Sequence, residues 1–275
     1  MTRGEASPIL DVRNEDEFAA WKIEGIRPLA HFNVPYFGFI DEPERSAERV
    51  AQAGDAWIAV CAKGDSSAFV AEILREQGMR AVNLIGGMEA WGNLHVPVRV
   101  DDGARGFELW QINRYGKGCL SYIILAGGQA IVVDASRHLE VYETFLRERG
   151  ATLVQVLDTH VHADHLSRAR TLAARTGATL HMPGTPRISF PHASVKDGDE
   201  VMGLKVLASP GHTDESVCYL LEGRAILTGD TLFLSSIGRP DLATDSAGSE
   251  RRAEALHRSL QRLLDLPPDV AVLPA

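Results

Sequence analysis

Apolar positions in the first hundred residues switch between short continuous runs and a helical rhythm. Residues 9–12 (ILDV), 56–61 (AWIAVC) and 81–85 (AVNLI) are short and mostly apolar, and they predict strands. Between the last two, residues 66–77 place Phe69, Val70, Ile73 and Leu74 on one helical face, and Gly78 stops the helix. Gly86-Gly87 leads into another helix carrying Met88 and Trp91. Strands separated by helices predict a parallel sheet covered on both faces. The run VPVRVDDGARG at 96–106 mixes proline, glycine and charge and predicts a linker, giving domains of 1–98 and 105–275.

Beyond it the rhythm changes. Strands are expected at 109–113, 120–125, 130–134 and 153–158, with a helix at 139–149 before the last of them. A helix over 166–176 ends at Gly177, and strands are expected at 179–182, 200–207, 216–221 and 225–228. A final helix covers 250–264. Two strand-rich units with helices between them predict a layered αββα sandwich rather than a doubly wound sheet.

Composition fits that picture. At roughly 150 residues per domain, 275 residues allow about two. Lys and Arg number 10 before residue 100 against 15 Asp and Glu, and 18 against 22 after it, so both parts are acidic (−5 and −4, net −9). No basic footprint for nucleic acid or anionic lipid is expected. The apolar runs fall far short of the roughly 20 residues of a membrane span. Glu5, Asp11, Glu15 and Asp16 precede any long apolar stretch, so no secretory signal is expected. Cys61, Cys119 and Cys218 cannot all pair, which suits a reducing compartment, and a cytoplasmic location is expected. Cys119 and Cys218 lie in apolar segments and are expected in the core. The sequence leaves the oligomeric state open.

The run THVHADH at 159–165 puts His160, His162, Asp164 and His165 directly after an apolar strand. Strand alternation would place His160 and His162 on one side, and the turn into the next helix would return Asp164 and His165 toward them. Imidazole nitrogen and carboxylate oxygen suit zinc or iron. SPGHT at 209–213 and LTGDT at 227–231 add His212 and Asp230, each just past a strand.

With these motifs in that order, residues 105–275 resemble the metallo-β-lactamase superfamily. SPGHT, GDTLF at 229–233 and GRPD at 238–241 make the segment most similar to its persulfide dioxygenase group, related to glyoxalase II. The resemblance implies an αββα fold with one Fe(II) per chain, held by His160, His212 and Asp230. His162, Asp164 and His165 would then surround those ligands, or hold a second metal. Two imidazoles and one carboxylate leave positions open for a sulfur substrate and O2 together. A dinuclear hydrolytic site instead uses nearly all its ligands on two metals roughly 3.5–4 Å apart. In that superfamily a last second-metal histidine follows a strand like VAVLPA at 270–275. Either the chain is a fragment, or its second site lacks that ligand. Arg239 in GRPD would help hold glutathione carboxylates by the same resemblance, against a loop arginine paired with Asp241 or Asp245.

Cys61 opens the loop CAKGDSS at 61–67, between a strand and a helix. A thiol there meets backbone N–H groups and the positive end of a helix dipole, which stabilise anionic sulfur; a buried structural cysteine is the other reading. ILDVR at 9–13, NVP at 33–35, this loop, and NLIGGMEAW at 83–91 make residues 8–95 resemble rhodanese domains. That resemblance implies that Cys61 carries persulfide sulfur, with Lys63, Gly64, Asp65 and Ser66 lining its substrate loop. Asp65 adds negative charge, Ser66 stands where arginine is frequent, and Trp21-Lys22 replaces a common Gly-His, all of which argue against strong thiosulfate binding.

The leading expectation is a fused sulfurtransferase and persulfide dioxygenase of sulfide oxidation. Its substrates would be glutathione persulfide, or another small thiol persulfide, with O2, and thiosulfate or sulfite would be the other sulfur partners. The alternatives are a zinc thioester hydrolase of glyoxalase II type, and a sulfur carrier whose metal site is structural and therefore closed.

Overall fold

The structure is a computed structural model that describes residues 7–25, 27–101, 106–162, 167–242 and 245–275. Two compact units divide the chain: Met1–Val96 with Arg114–Gly118, and Pro97–Asn113 with Cys119–Ala275.

The first unit contains β1 (Ile9–Asp11), α1 (Glu15–Ala20), β2 (His31–Asn33), α2 (Tyr36–Asp41), α3 (Pro43–Ala53), β3 (Ala56–Val60), α4 (Asp65–Glu76), β4 (Arg80–Asn83) and α5 (Gly87–Asn93). Its four strands run parallel in the order β2-β1-β3-β4, with Asp11 opposite both Asn33 and Val60. The C-terminal ends of all four therefore share one edge, and Cys61 is the first residue beyond β3 on it. Leu10, Ala59, Val70, Ala71 and Leu74 pack one side of this sheet and are fully buried. Phe69, expected among them, is instead exposed and meets Tyr36 edge-on at 5.8 Å.

Asp11 and Arg13 do structural work at that edge. Their side chains pair at 2.6 Å, both buried, and Arg13 also donates to the Trp21 carbonyl at 2.6 Å. The Asn33 amide donates to the Asp11 and Arg13 carbonyls at 2.8 and 2.9 Å. Those contacts satisfy buried polar groups that would otherwise cost roughly 1–3 kcal/mol each.

The remaining elements are β5 (His95–Arg99), β6 (Glu108–Arg114), β7 (Cys119–Ala126), β8 (Gln129–Val133), α6 (Leu139–Glu148), β9 (Thr152–Leu157), α7 (Ala169–Thr176), β10 (Thr179–Pro183), β11 (Ala193–Val195), β12 (Glu200–Val201), β13 (Leu204–Ala208), β14 (Val217–Leu221), β15 (Ala225–Gly229), α8 (Ser246–Leu264) and β16 (Ala271–Pro274). They form a seven-stranded sheet ordered β11-β10-β9-β8-β7-β6-β5 and a five-stranded sheet ordered β12-β13-β14-β15-β16. Tyr122, Val133 and Leu157 of the larger sheet pack against Val206, Tyr219 and Leu227 of the smaller one. Val132 and Val156, facing the other way, meet Tyr142 and Phe145 of α6 and Leu172 of α7. Behind the smaller sheet, Cys218 and Ile226 meet Leu263 of α8. This is the expected αββα layering. No described helix is long and apolar enough to cross a membrane.

Several boundaries differ from expectation for local reasons. The strand expected at 200–207 is a hairpin, β12 and β13, because Met202 (φ 48°) and Gly203 (φ 84°) turn the chain. Met202, at that turn, is 47% exposed. α8 starts at Ser246 rather than residue 250, since Asp245 Oδ1 caps the Gly248 amide at 2.7 Å. β5 takes in part of the stretch expected as linker, its Pro97 tolerated on an edge strand. Cys119, expected in the core, opens β7 and is only half-buried.

Candidate functional site

Three ligand-type side chains converge where β9, β14 and β15 approach one another. β9 ends at Leu157, so residues 158–162 form a loop rather than a continued strand, and alternation does not govern His160 and His162. His212 stands in the turn before β14, where Gly211 (φ 144°) packs so tightly on α8 that a Cβ would strike Leu256. Asp230 follows Gly229 (φ 50°), the last residue of β15. Asp230 Oδ2 lies 3.5 Å from His212 Nε2 and 3.9 Å from His160 Nε2. The His160 and His212 rings are nearly perpendicular, with centroids 5.0 Å apart. Both imidazoles are buried, and the Asp230 side chain, 18% exposed, is the open side of the group.

The outer nitrogens are held. His212 Nδ1 lies 3.2 Å from the Arg239 carbonyl, which accepts its N–H and leaves Nε2 as the lone-pair nitrogen. His160 Nδ1 lies 2.9 Å from the Thr159 hydroxyl. Two imidazole Nε2 atoms and one carboxylate, with ligand atoms all within 4.8 Å, fit one small divalent cation.

His162 belongs to a second group. Its ring centroid is 4.0 Å from that of His160, yet its Nε2 lies 3.1 Å from Asp134 Oδ1 and 3.9 Å from Asp158 Oδ1. All three side chains are buried. Burial works against the His162 cation, but Asp134 and Asp158 outweigh it and raise the imidazole to about 9. Burial pushes Asp158 up to about 7, with His162 opposing. Asp134 stays below the ordinary carboxylate range: burial works against its charge, and the His162 hydrogen bond, the nearby His162 and His160 imidazoles and the Thr159 amide together outweigh it. Glu215 Oε1 accepts the Val161 amide at 3.2 Å and pairs with Arg187 at 3.3 Å, bracing the same loop. Asp164 and His165 lie outside the described residues.

Arg239 forms a bidentate pair with Asp241, at 3.1 and 2.9 Å, and its side chain is 70% exposed. Its carbonyl, rather than its guanidinium, touches His212.

In the other unit, Cys61 Sγ accepts the Gly64 amide at 3.0 Å and lies 3.2 Å from the Ser67 hydroxyl. Gly64 (φ 106°) turns the loop, and a Cβ there would sit 2.8 Å from the Gly86 nitrogen. A side chain at Gly87 would strike the Cys61 carbonyl, so two glycines let α5 close on the loop, where Met88 N donates to Cys61 O at 2.9 Å. Burial raises the thiol pKa, but the Ser67 hydroxyl and the amides of Ser67, Gly64 and Lys63 prevail and lower it below the ordinary thiol value. Lys63 and Asp65 are exposed and Ser66 is half-buried, so Gly64 and Ser67 make the closest contacts. Ser67 lies inside the loop read from the sequence, but the residues expected to line it ended at Ser66. Sequence reasoning missed Asp134, Asp158 and Thr159, for which only their placement at strand ends gave any signal.

A family model described as rhodanese-like domain matches residues 1–94, and one described as metallo-beta-lactamase superfamily matches 114–198. Hydroxyacylglutathione hydrolase of Brucella anthropi is 37% identical over 137 residues, 47% of this chain and 50% of that protein. The protein of the same name from Methylobacillus flagellatus is 36% identical over 151 residues, 53% of this chain and 56% of that one. The chain thus spans about half the length of these curated relatives. Among solved structures, a metallo-beta-lactamase from Staphylococcus aureus aligns with TM-score 0.59 and 28% identity, covering 62% of this chain and 56% of that one. ETHE1 from Myxococcus xanthus aligns with TM-score 0.50 and 32% identity, covering 65% and 74% respectively.

Proposed function

The chain belongs to the metallo-β-lactamase superfamily and carries a rhodanese-like domain ahead of that fold, and from this we propose that it oxidises a small thiol persulfide with O2 and handles sulfane sulfur at Cys61. The observation that carries the reading is the convergence of two imidazoles and one carboxylate, whose ligand atoms all lie within 4.8 Å of one another. His160 joins His212 and Asp230, whereas His162 is turned to Asp134 and Asp158. A two-histidine, one-carboxylate set is the donor pattern of mononuclear iron oxygenases. An iron held there would supply positions for a sulfur ligand and O2 side by side.

The chain's own residues do the rest. His212 holds its Nε2 lone pair inward through the Arg239 carbonyl, and His160 Nδ1 rests against the Thr159 hydroxyl. Asp230 contributes negative charge on the open side. The net reaction takes one persulfide, one O2 and one water to the free thiol and sulfite. At the other station Cys61, whose thiolate is favoured by its loop, attacks a sulfane sulfur and becomes a persulfide as the donor leaves with the bonding electrons. Glutathione is the proposed thiol, since relatives are named hydroxyacylglutathione hydrolase, a name that specifies a glutathione thioester. Those names also favour a second reading, a thioester hydrolase, for which zinc would be the metal. An oxygen electrode separates the two. Uptake that requires glutathione persulfide and yields sulfite supports the dioxygenase, and hydrolysis of S-lactoylglutathione without uptake replaces it.

A further inference from the structure

We propose that Thr159 is a positioning residue for the metal centre, its hydroxyl setting which nitrogen of His160 carries the proton. The inference rests on the reading that His160, His212 and Asp230 hold a metal. Thr159 is 1% exposed, and each of its polar groups has an assigned direction. Its amide donates to Asp134 Oδ1 at 2.8 Å, and its Oγ1 lies 3.1 Å from both oxygens of the same carboxylate. Its carbonyl accepts the Val217 amide at 2.9 Å, which joins the loop after β9 to β14 of the other sheet.

A hydroxyl has one proton. With Asp134 accepting from both the Thr159 amide and hydroxyl, that proton is spent on the carboxylate, and Oγ1 meets His160 Nδ1, 2.9 Å away, as an acceptor. His160 must then carry Nδ1–H, which leaves Nε2 as the lone pair facing Asp230. Asp134 can reach this position because it adopts φ 56°, unusual for a residue other than glycine. Space enforces the arrangement from above. A Cβ on Gly229 would strike the Thr159 hydroxyl and lie 2.8 Å from its Cβ, so the residue before Asp230 must be glycine for threonine to stay in place.

Thr159→Val keeps the shape and removes the hydroxyl, whereas Thr159→Ser keeps the hydroxyl. Two readouts apply: the His160 tautomer, from nitrogen NMR of metal-free, histidine-labelled full-length protein, and Zn2+ and Fe2+ affinity by chelator competition. Wild type and Thr159→Ser should show Nδ1–H. Thr159→Val should lose that tautomer and bind metal roughly 10–100-fold more weakly. A Thr159→Val protein with the wild-type tautomer and affinity overturns the proposal. So does Nε2–H in the wild type, which decides the matter even if the valine variant does not fold. Wild-type protein that binds neither metal sinks the metal reading instead, while the tautomer measurement still tests Thr159.

Discussion

His162 presents its Nε2 to Asp134 at 3.1 Å, while His160, two residues earlier with its ring 4.0 Å away, presents its own toward Asp230. Neighbouring histidines of one motif thus serve different partners. The cause is the carboxylate pair beneath them: Asp134 and Asp158 are buried, and His162 supplies the charge that offsets theirs.

That division predicts unequal aspartates. Asp230→Ala should bring metal content close to zero in folded protein, because it removes the only carboxylate of the proposed set. Asp164→Ala should leave most of one equivalent. Elemental analysis of both variants checks this, and equal loss from both would favour a dinuclear hydrolase.

Cys61→Ser should remove sulfur transfer from thiosulfate to a thiol and leave oxygen uptake with preformed persulfide near the wild-type rate. Serine keeps the loop geometry but is a poor sulfur acceptor at neutral pH. Loss of both activities in a folded, iron-loaded variant would mean that Cys61 serves the metal reaction directly.

Ser67→Ala should raise the Cys61 pKa, since burial then faces fewer donors. The pH midpoint of iodoacetamide alkylation should move up. A thiol depressed in the folded state adds stability above its unfolded value and loses it as pH falls through the folded one. Wild-type stability should therefore rise with pH between those two values, and urea titrations of Ser67→Ala should show a flatter rise.

Gly238→Ala should damage the metal centre through sterics alone. Its Cβ would strike the Asp230 carbonyl and lie 2.9 Å from His212 Cβ, so neither ligand can stay in place. Overpacking of this kind costs about 1–3 kcal/mol, and metal content should fall with the melting temperature. Gly223→Ala is the control. It adopts φ 68° with open space around it, so backbone strain on the order of 1 kcal/mol should appear without loss of metal.

The sequence by itself determined the two-part architecture, because strand and helix periods are local and survive without tertiary information. It also singled out His160, His212 and Asp230, because each follows an apolar run that a sheet must bury and so emerges just past a strand. Cys61 was legible for the same reason, standing one residue past β3 with glycines at 64, 86 and 87 to close the loop. Tertiary structure decided the partners. Asp134 and Thr159 are 25 residues apart and meet only because β8 and β9 are adjacent and parallel. The Arg239 carbonyl reaches His212 across 27 residues. Arg239 read as a charge in the sequence, yet its charge goes to Asp241 and its backbone goes to the site. Side-chain direction at a loop depends on which distant group compensates burial, and no local pattern encodes that.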